Sequence, residues 1–354
     1  MDISQIIDKA VKRENLNLDE VTALMAASKK EDLDIIFSAA RKVRDVQFGK
    51  KVFIYGFVYF STYCRNNCAF CYYRATNTEL GRYRKTPEEI MALSTSLYDA
   101  GINLVDLTMG EDPMMYANGH KELLNIVQGV RDEVPIGIMV SPGAMPREMF
   151  PKMKEAGADW FACYQETYNR DLFAKLRLDQ DYDYRLNQRV WAREAGILTE
   201  DGMLVGLGET ARDRAEATLR MGALGCEQIR AMTFVPQHGT PMQAIVPADS
   251  MDELKVIATM RLLFPDRLIP ASLDVEGIVG LKTRIDAGAN VITSIIPPHM
   301  ELAGVAQHDL NIDDGCRSVD YVKEMLDDMG RHVATNAEYG AFLSEHKALI
   351  KGAE

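Results

Sequence analysis

Residues 51–74 read KVFIYGFVYFSTYCRNNCAFCYYR, and the two halves of that stretch decide how the rest of the chain is read. Lys51–Phe60 is aromatic and β-branched without polar alternation, the pattern of a strand buried on both faces. Directly after it, Cys64, Cys68 and Cys71 follow one another with the spacing CxxxCxxC. A buried strand that delivers a polar, cysteine-rich loop reads as the start of a βα unit, and chemistry in such folds gathers where strands end.

Working outward from there, the N-terminal residues (roughly 2–47) carry charged, amphipathic helix patterns beginning MDISQIIDKAVKREN. On the other side, Thr86-Pro87-Glu88-Glu89 opens a helix with a Thr cap and Pro at its first position. Short apolar strands are then expected at Asn103–Met109, Ile136–Val140, Trp160–Tyr164, Gly202–Val205, Gln228–Phe234, Arg267–Pro270 and Asn290–Thr293. Helical patterns fill the gaps, for example at Arg185–Ala195, Arg212–Leu224, Met251–Leu263 and Glu276–Ala287. Ala-Gly pairs at 100–101, 156–157, 195–196 and 287–288 suit left-handed helix ends. With the first strand this makes eight strands separated by helices, which predicts an α/β fold closed as a (β/α)8 TIM-type barrel. No Pro/Gly/Ser-rich linker divides the chain. The simplest organisation is therefore an N-terminal helical extension over 1–48 and a barrel with C-terminal helices over 49–354.

Composition limits the function. The 354 residues carry a net charge of −12, which argues against a nucleic-acid partner and against anionic membranes. There is no apolar run of membrane-spanning length, and the charged N-terminus lacks the apolar core of a signal peptide, so a cytoplasmic protein is expected. In that compartment a tight cysteine cluster points to metal or redox chemistry and not to disulfides. Cys163, Cys226 and Cys316 are scattered among apolar residues and read as core cysteines.

Three thiolates on one loop can hold three irons of a four-iron cubane and leave the fourth open, as catalytic metal sites require. A structural zinc site would want a fourth ligand near by, and the first histidine is His120. The spacing resembles that of the radical S-adenosylmethionine (SAM) enzymes, in which a 4Fe-4S cluster binds and cleaves SAM. In that pattern Phe70 lies against adenine, and Gly110-Glu111-Asp112 stands where the family's Gly/Glu-rich stretch meets the SAM amino group. Gly206, at the end of Gly202–Glu209, resembles the glycine-rich strand that lets backbone approach adenine.

A narrower resemblance covers nearly the whole barrel. The runs YFSTYCRNNCAFCYYR (59–74), DLTMGEDP (106–113), SPGAM (141–145), YQETY (164–168), MTFVPQHGTP (232–241) and IPASLDVEG (269–277) are similar, in order, to the methylornithine synthases of pyrrolysine biosynthesis. The resemblance implies a radical SAM isomerase that converts L-lysine into (3R)-3-methyl-D-ornithine. Its route is hydrogen abstraction by a 5′-deoxyadenosyl radical, fragmentation between the α and β carbons, and recombination. It implies SAM contacts at Tyr72, Ser141, Glu166 and Arg185. It also implies that Arg230 receives the substrate carboxylate, and that Asp106, Ser272 and Asp274 meet its amines. An external one-electron reductant is the further partner implied, and a capping role for the N-terminal region follows from the need to exclude water. The alternative is a radical SAM enzyme of the biotin synthase or maturase type acting on another small amino-acid-like substrate. Sulfur insertion would need a second cluster, for which Cys163 and Cys226 lack a CxxC partner.

Overall fold

The computed structural model describes residues 2–297, 302, 304 and 317–351; Cys316 lies outside them. Its centre is a cylinder of parallel strands: β1 (Lys51–Ser61), β2 (Leu104–Met109), β3 (Gly137–Ser141), β4 (Trp160–Ala162), β5 (Leu198–Val205), β6 (Gln228–Thr233), β7 (Pro270–Ser272) and β8 (Val291–Ile295). The spatial order β6-β5-β4-β3-β2-β1-β8-β7 is a continuous ladder, and β1 pairs with both β2 and β8. Among the described residues, β6 and β7 meet only through the bridge Gln228↔Leu268, so the cylinder is closed in outline with a seam at one place. This is the predicted (β/α)8 architecture. Strands at Lys51 and Trp160 start where the apolar runs start, because a strand buried on both faces needs them.

Two strands lie elsewhere than expected. β5 begins at Leu198, four residues before the predicted Gly202, because Glu200 and Asp201 are buried on its two faces despite their charge. Each is paired inside: Arg230 Nε donates to Glu200 at 2.8 Å, and Arg189 lies 3.2 Å from Asp201. β7 is centred on Ala271 and not on Leu268, since Leu268 makes only the isolated bridge across the seam.

Outside the strands run α4 (Pro87–Asp99), α5 (Pro113–Glu133), α6 (Met149–Glu155), α7 (Arg170–Leu176), α8 (Tyr182–Glu194), α9 (Ala211–Ala223), α10 (Ser250–Leu263) and α11 (Gly277–Asp286). Thr86 is the expected cap of α4, and Glu89 returns the bond to its backbone. The glycines after the Ala-Gly helix ends take positive φ, +91° at Gly101 and +104° at Gly157, a conformation an L-residue with a Cβ resists. Asn118, Gly119 and His120 have left-handed dihedrals and kink α5.

The preceding α1 (Ile3–Val11), α2 (Leu18–Met25) and α3 (Lys30–Phe48) pack along the side of the barrel, α2 on α9 and α3 on α10. None of their residues reaches the mouth, so the expected capping role is not what they perform. Their apolar stripes instead cover the outer helices, with Ile36 and Ala40 fully buried. The last elements are α12 (Val319–Asp328), β9 (His332–Val333) and α13 (Asn336–Lys351). α13 closes the N-terminal end of the barrel. The Tyr339 ring lies 5.6 Å from Phe53, the Phe342 ring stacks 6.4 Å from Trp160, and Lys347 pairs with Asp159. With that end filled, the free end is the one where the βα loops emerge.

Candidate functional site

At that end the strands open into a cavity with about 1090 Å³ of empty space, part of it continuous with solvent. The loop after β1 brings Cys64, Cys68 and Cys71 to its wall, and Phe70 lies among them. The loop is held by its surroundings. Arg82 donates to the carbonyls of Tyr73 (2.9 Å) and Arg74 (2.5 Å), and the Ala69 amide donates to Leu176 at 2.7 Å. Gly110 makes the fit possible, since a Cβ there would sit 2.3 Å from the Tyr63 carbonyl and 2.9 Å from Cys64 Cβ.

The thiols are free; burial pushes Cys64 up to about 11 and Cys71 higher still, with Cys68 adding to both rises and Cys64 to that of Cys71. Left alone Cys64 and Cys71 stay protonated, whereas a coordinated metal would take them as thiolates. Among the described residues no three Cys, His, Asp or Glu side chains converge on one metal ion. A sulfur-only donor set on one loop, facing a cavity, fits a 4Fe-4S cluster held by Cys64, Cys68 and Cys71.

Beside the thiols lies a polar wall. Glu111 accepts from Arg65 (2.9 Å) and from the Ala144 amide (3.0 Å), and Arg185 stands 3.6 Å away. A Cβ on Gly143, at φ +90°, would strike the Glu111 side chain. Arg185 Nε donates to the Tyr164 carbonyl at 2.7 Å. Glu166 is buried at φ +67°, a costly conformation for a glutamate, and burial raises its carboxyl although Arg177 donates to it at 2.8 Å.

Deeper in the cavity, Ser141 donates to Asp106 at 2.7 Å. Asp106 carries no direct ion pair among the described residues; burial pushes its carboxyl up to about 7, and the nearby Glu200 adds to the rise. Arg230 does not line the cavity: it is buried behind the Tyr164 ring, held by Glu200 and by Thr293 (3.0 Å), while its Nη2 has no partner.

Of the residues singled out in the sequence, Cys64, Cys68, Cys71, Phe70, Gly110, Glu111, Asp106, Ser141, Glu166 and Arg185 share this cavity. Others do not. Asp112 accepts from Arg84 (2.6 and 2.9 Å), Ser61 (2.6 Å) and the Met114 amide. Against the pull of burial these hold its carboxyl below the usual range, so it caps α5 and has no acceptor left for SAM. Tyr72 packs with Tyr73 and Leu80 and does not itself line the cavity. Gly206 (φ +96°) donates its amide to Glu209 and lies against Ala248, where a Cβ would come within 2.6 Å. Ser272 and Asp274 are buried at the end of β7. There Arg317, at 2.6 Å, together with Ser294 and Ser272, keeps the Asp274 carboxyl low, so its charge is already met inside the protein.

Sequence reasoning missed Arg177 and Gln180, which reach Cys68, and Arg82. Arg177 and Gln180 lie between α7 and α8, and Arg82 lies between the cysteine loop and α4; no motif marks any of them in the sequence. Cys163, read as a core cysteine, lines the cavity, whereas Cys226 is fully buried as expected.

Comparison with known proteins agrees with this geometry. Residues 58–220 match the radical SAM superfamily model. The chain is 43% identical to the 3-methylornithine synthase of Methanosarcina barkeri, over 95% of both chains. It is 42% identical to that of Methanosarcina acetivorans, over 97% of both. A crystal structure of methylornithine synthase superposes with a TM-score of 0.90 at 42% identity, covering 95% of this chain and 99% of the other. Among the described residues no helix is long and apolar enough to cross a membrane.

Proposed function

The chain belongs to the 3-methylornithine synthase family of radical SAM enzymes, and on that premise we propose that it isomerises L-lysine to (3R)-3-methyl-D-ornithine. The observation that carries this reading is the single cavity that joins three thiols, the Glu111–Arg185 wall and the Asp106–Ser141 pair. A 4Fe-4S cluster and SAM bound there would supply one-electron chemistry able to take hydrogen from an unactivated carbon.

The chain's own residues have the remaining tasks. Cys64, Cys68 and Cys71 hold the cluster, and Phe70 and Gly110 border the space beside it. Arg185 offers a cation to the carboxylate of SAM, and Glu111 and Glu166 offer acceptors to its amine. Asp106, without a cation of its own, is suited to a substrate ammonium, whose charge would draw its proton off. Arg230 is fixed by Glu200 and Thr293 behind the cavity wall, and its buried Nη2 has no partner, which leaves one donor for a substrate carboxylate. Asp274 serves through Arg317 and not as a free acceptor for the second amine. Apolar walls from Leu204, Met232 and Phe234 keep water and stray hydrogen donors from the fragments. The same reading takes residues 49–354 as the catalytic barrel with its C-terminal helices and 1–48 as a lateral extension. It places the protein in the cytoplasm, with an external one-electron reductant.

The test is anaerobic incubation of reconstituted protein with SAM, dithionite and L-lysine, followed by mass spectrometry and chiral amino-acid analysis. A branched D-amino acid of lysine's mass, absent in Cys68→Ala, is the expected result. SAM cleavage without that product would reject lysine as substrate, and no SAM cleavage by cluster-loaded protein would reject the enzyme.

A further inference from the structure

The three cluster thiols are not solvated alike. Cys64 accepts a backbone amide, from Asn66 at 3.4 Å, and Cys71 accepts one from Tyr73. Cys68 instead faces two side chains from the segment between α7 and α8. Gln180 Nε2 donates to its sulfur at 3.0 Å and Arg177 Nη1 at 3.5 Å. The placement is built in. Arg177 is buried, its Nη2 donates to Glu166 (2.8 Å) and to the Tyr164 carbonyl (3.2 Å), and its guanidinium lies 5.2 Å from the Phe70 ring centre. The Ala69–Leu176 backbone bond fixes this segment against the cysteine loop.

A buried arginine costs several kcal/mol to desolvate unless its charge is used. Here it is shared between a carboxylate on the SAM side and a sulfur on the cluster side. Hydrogen bonds to sulfur ligands and nearby positive charge favour the reduced cluster, which holds one more electron. From this geometry we infer that Arg177 and Gln180 are positioning residues that set the reduction potential of the cluster through Cys68, raising it. Arg177 also ties that potential to Glu166, so the SAM-side carboxylate and the cluster respond to one cation. The inference rests on the cluster assignment above.

The test is a potentiometric titration followed by electron paramagnetic resonance, on reconstituted full-length protein without SAM, after iron and acid-labile sulfide are counted. Arg177→Met should lower the ratio of reduced to oxidised cluster at a fixed poise about tenfold, which for a one-electron couple is a midpoint about 59 mV more negative. Gln180→Leu, which removes one neutral donor, should lower it severalfold. Arg177→Lys, which keeps the charge but not the two-nitrogen fork, should fall between wild type and Arg177→Met. Full clusters that titrate within twofold of wild type in both Arg177→Met and Gln180→Leu would overturn the inference alone. If Arg177→Met fails to hold iron, the half-buried Gln180 decides the question by itself. A wild type that binds no four-iron cluster would sink the functional reading, and the inference with it.

Discussion

Asp106→Asn should make the protein more stable, and by more as the pH rises. The Asp106 carboxyl moves from an ordinary 3.8 to about 7 because burial at the centre of the barrel disfavours its charge, more than Ser141 and the more distant Arg230 compensate. A group raised on folding contributes stability below its unfolded value and loses it as pH climbs through the folded one. At about 1.4 kcal/mol per tenfold in the ionisation constant, the ionised carboxylate costs the empty protein roughly 4 kcal/mol above pH 7. Asparagine keeps an oxygen for the Ser141 hydroxyl and has no proton to lose. The advantage of Asp106→Asn over wild type should therefore grow from about 2 kcal/mol at pH 5 to about 4 kcal/mol at pH 8.5. Urea unfolding of cluster-free protein, read by the fluorescence of Trp160 and Trp191, measures both points. The same variant should lose at least tenfold in lysine affinity, since an amide cannot balance an ammonium group. An advantage that stays constant between the two pH values, or a variant less stable than wild type at pH 8.5, would refute the reasoning.

Three further outcomes follow from the geometry. Gly110→Ala should retain well under half the iron of wild type after reconstitution, because its Cβ would meet the Tyr63 carbonyl and Cys64; full iron content would contradict this. Asp112→Asn should cost about 3 kcal/mol in urea unfolding by leaving Arg84 half-paired, yet leave SAM binding by calorimetry within about threefold of wild type. Arg230→Met should cost about 3–5 kcal/mol by stranding Glu200, and adding Glu200→Met should restore most of that stability. Neither the single nor the double variant should recover the KM for lysine, and recovery in the double would remove Arg230 from the substrate site.

Much of the scaffold was legible because burial in a parallel barrel writes itself as continuous apolar runs. β1 and β2 lie within a residue of their predicted bounds, and Gly101, Gly157, Gly196 and Gly288 take the left-handed turn their Ala-Gly pairs implied. The thiols were legible because their spacing along one loop is local. What escaped were pairings between residues distant in sequence. Glu200 and Asp201 look like loop residues until Arg230 and Arg189 are seen to neutralise them, and that hid half of β5. Asp274 reads as a free carboxylate until Arg317, 43 residues on, arrives beside it. Asp112 reads as part of the stretch that meets SAM until Arg84, 28 residues before it, is seen to tie up its carboxylate at the start of α5. The lateral packing of α2 and α3 depends on which outer helices have bare faces, which no single segment records.

The floor of the barrel has a consequence for the order in which the molecule is made. Phe53 and Tyr55 are synthesised early, but their ring partners Tyr339 and Phe342 leave the ribosome nearly 300 residues later. Contacts of such long sequence separation form late and slowly. The cysteine loop emerges soon after Phe53, whereas cavity-wall residues such as Phe234 and Gln237 come more than 150 residues behind it. The nascent chain therefore carries three unshielded thiols through most of its synthesis. Iron and sulfide can reach them in that interval more easily than after Phe234 and Gln237 have completed the cavity wall, and oxidants can too.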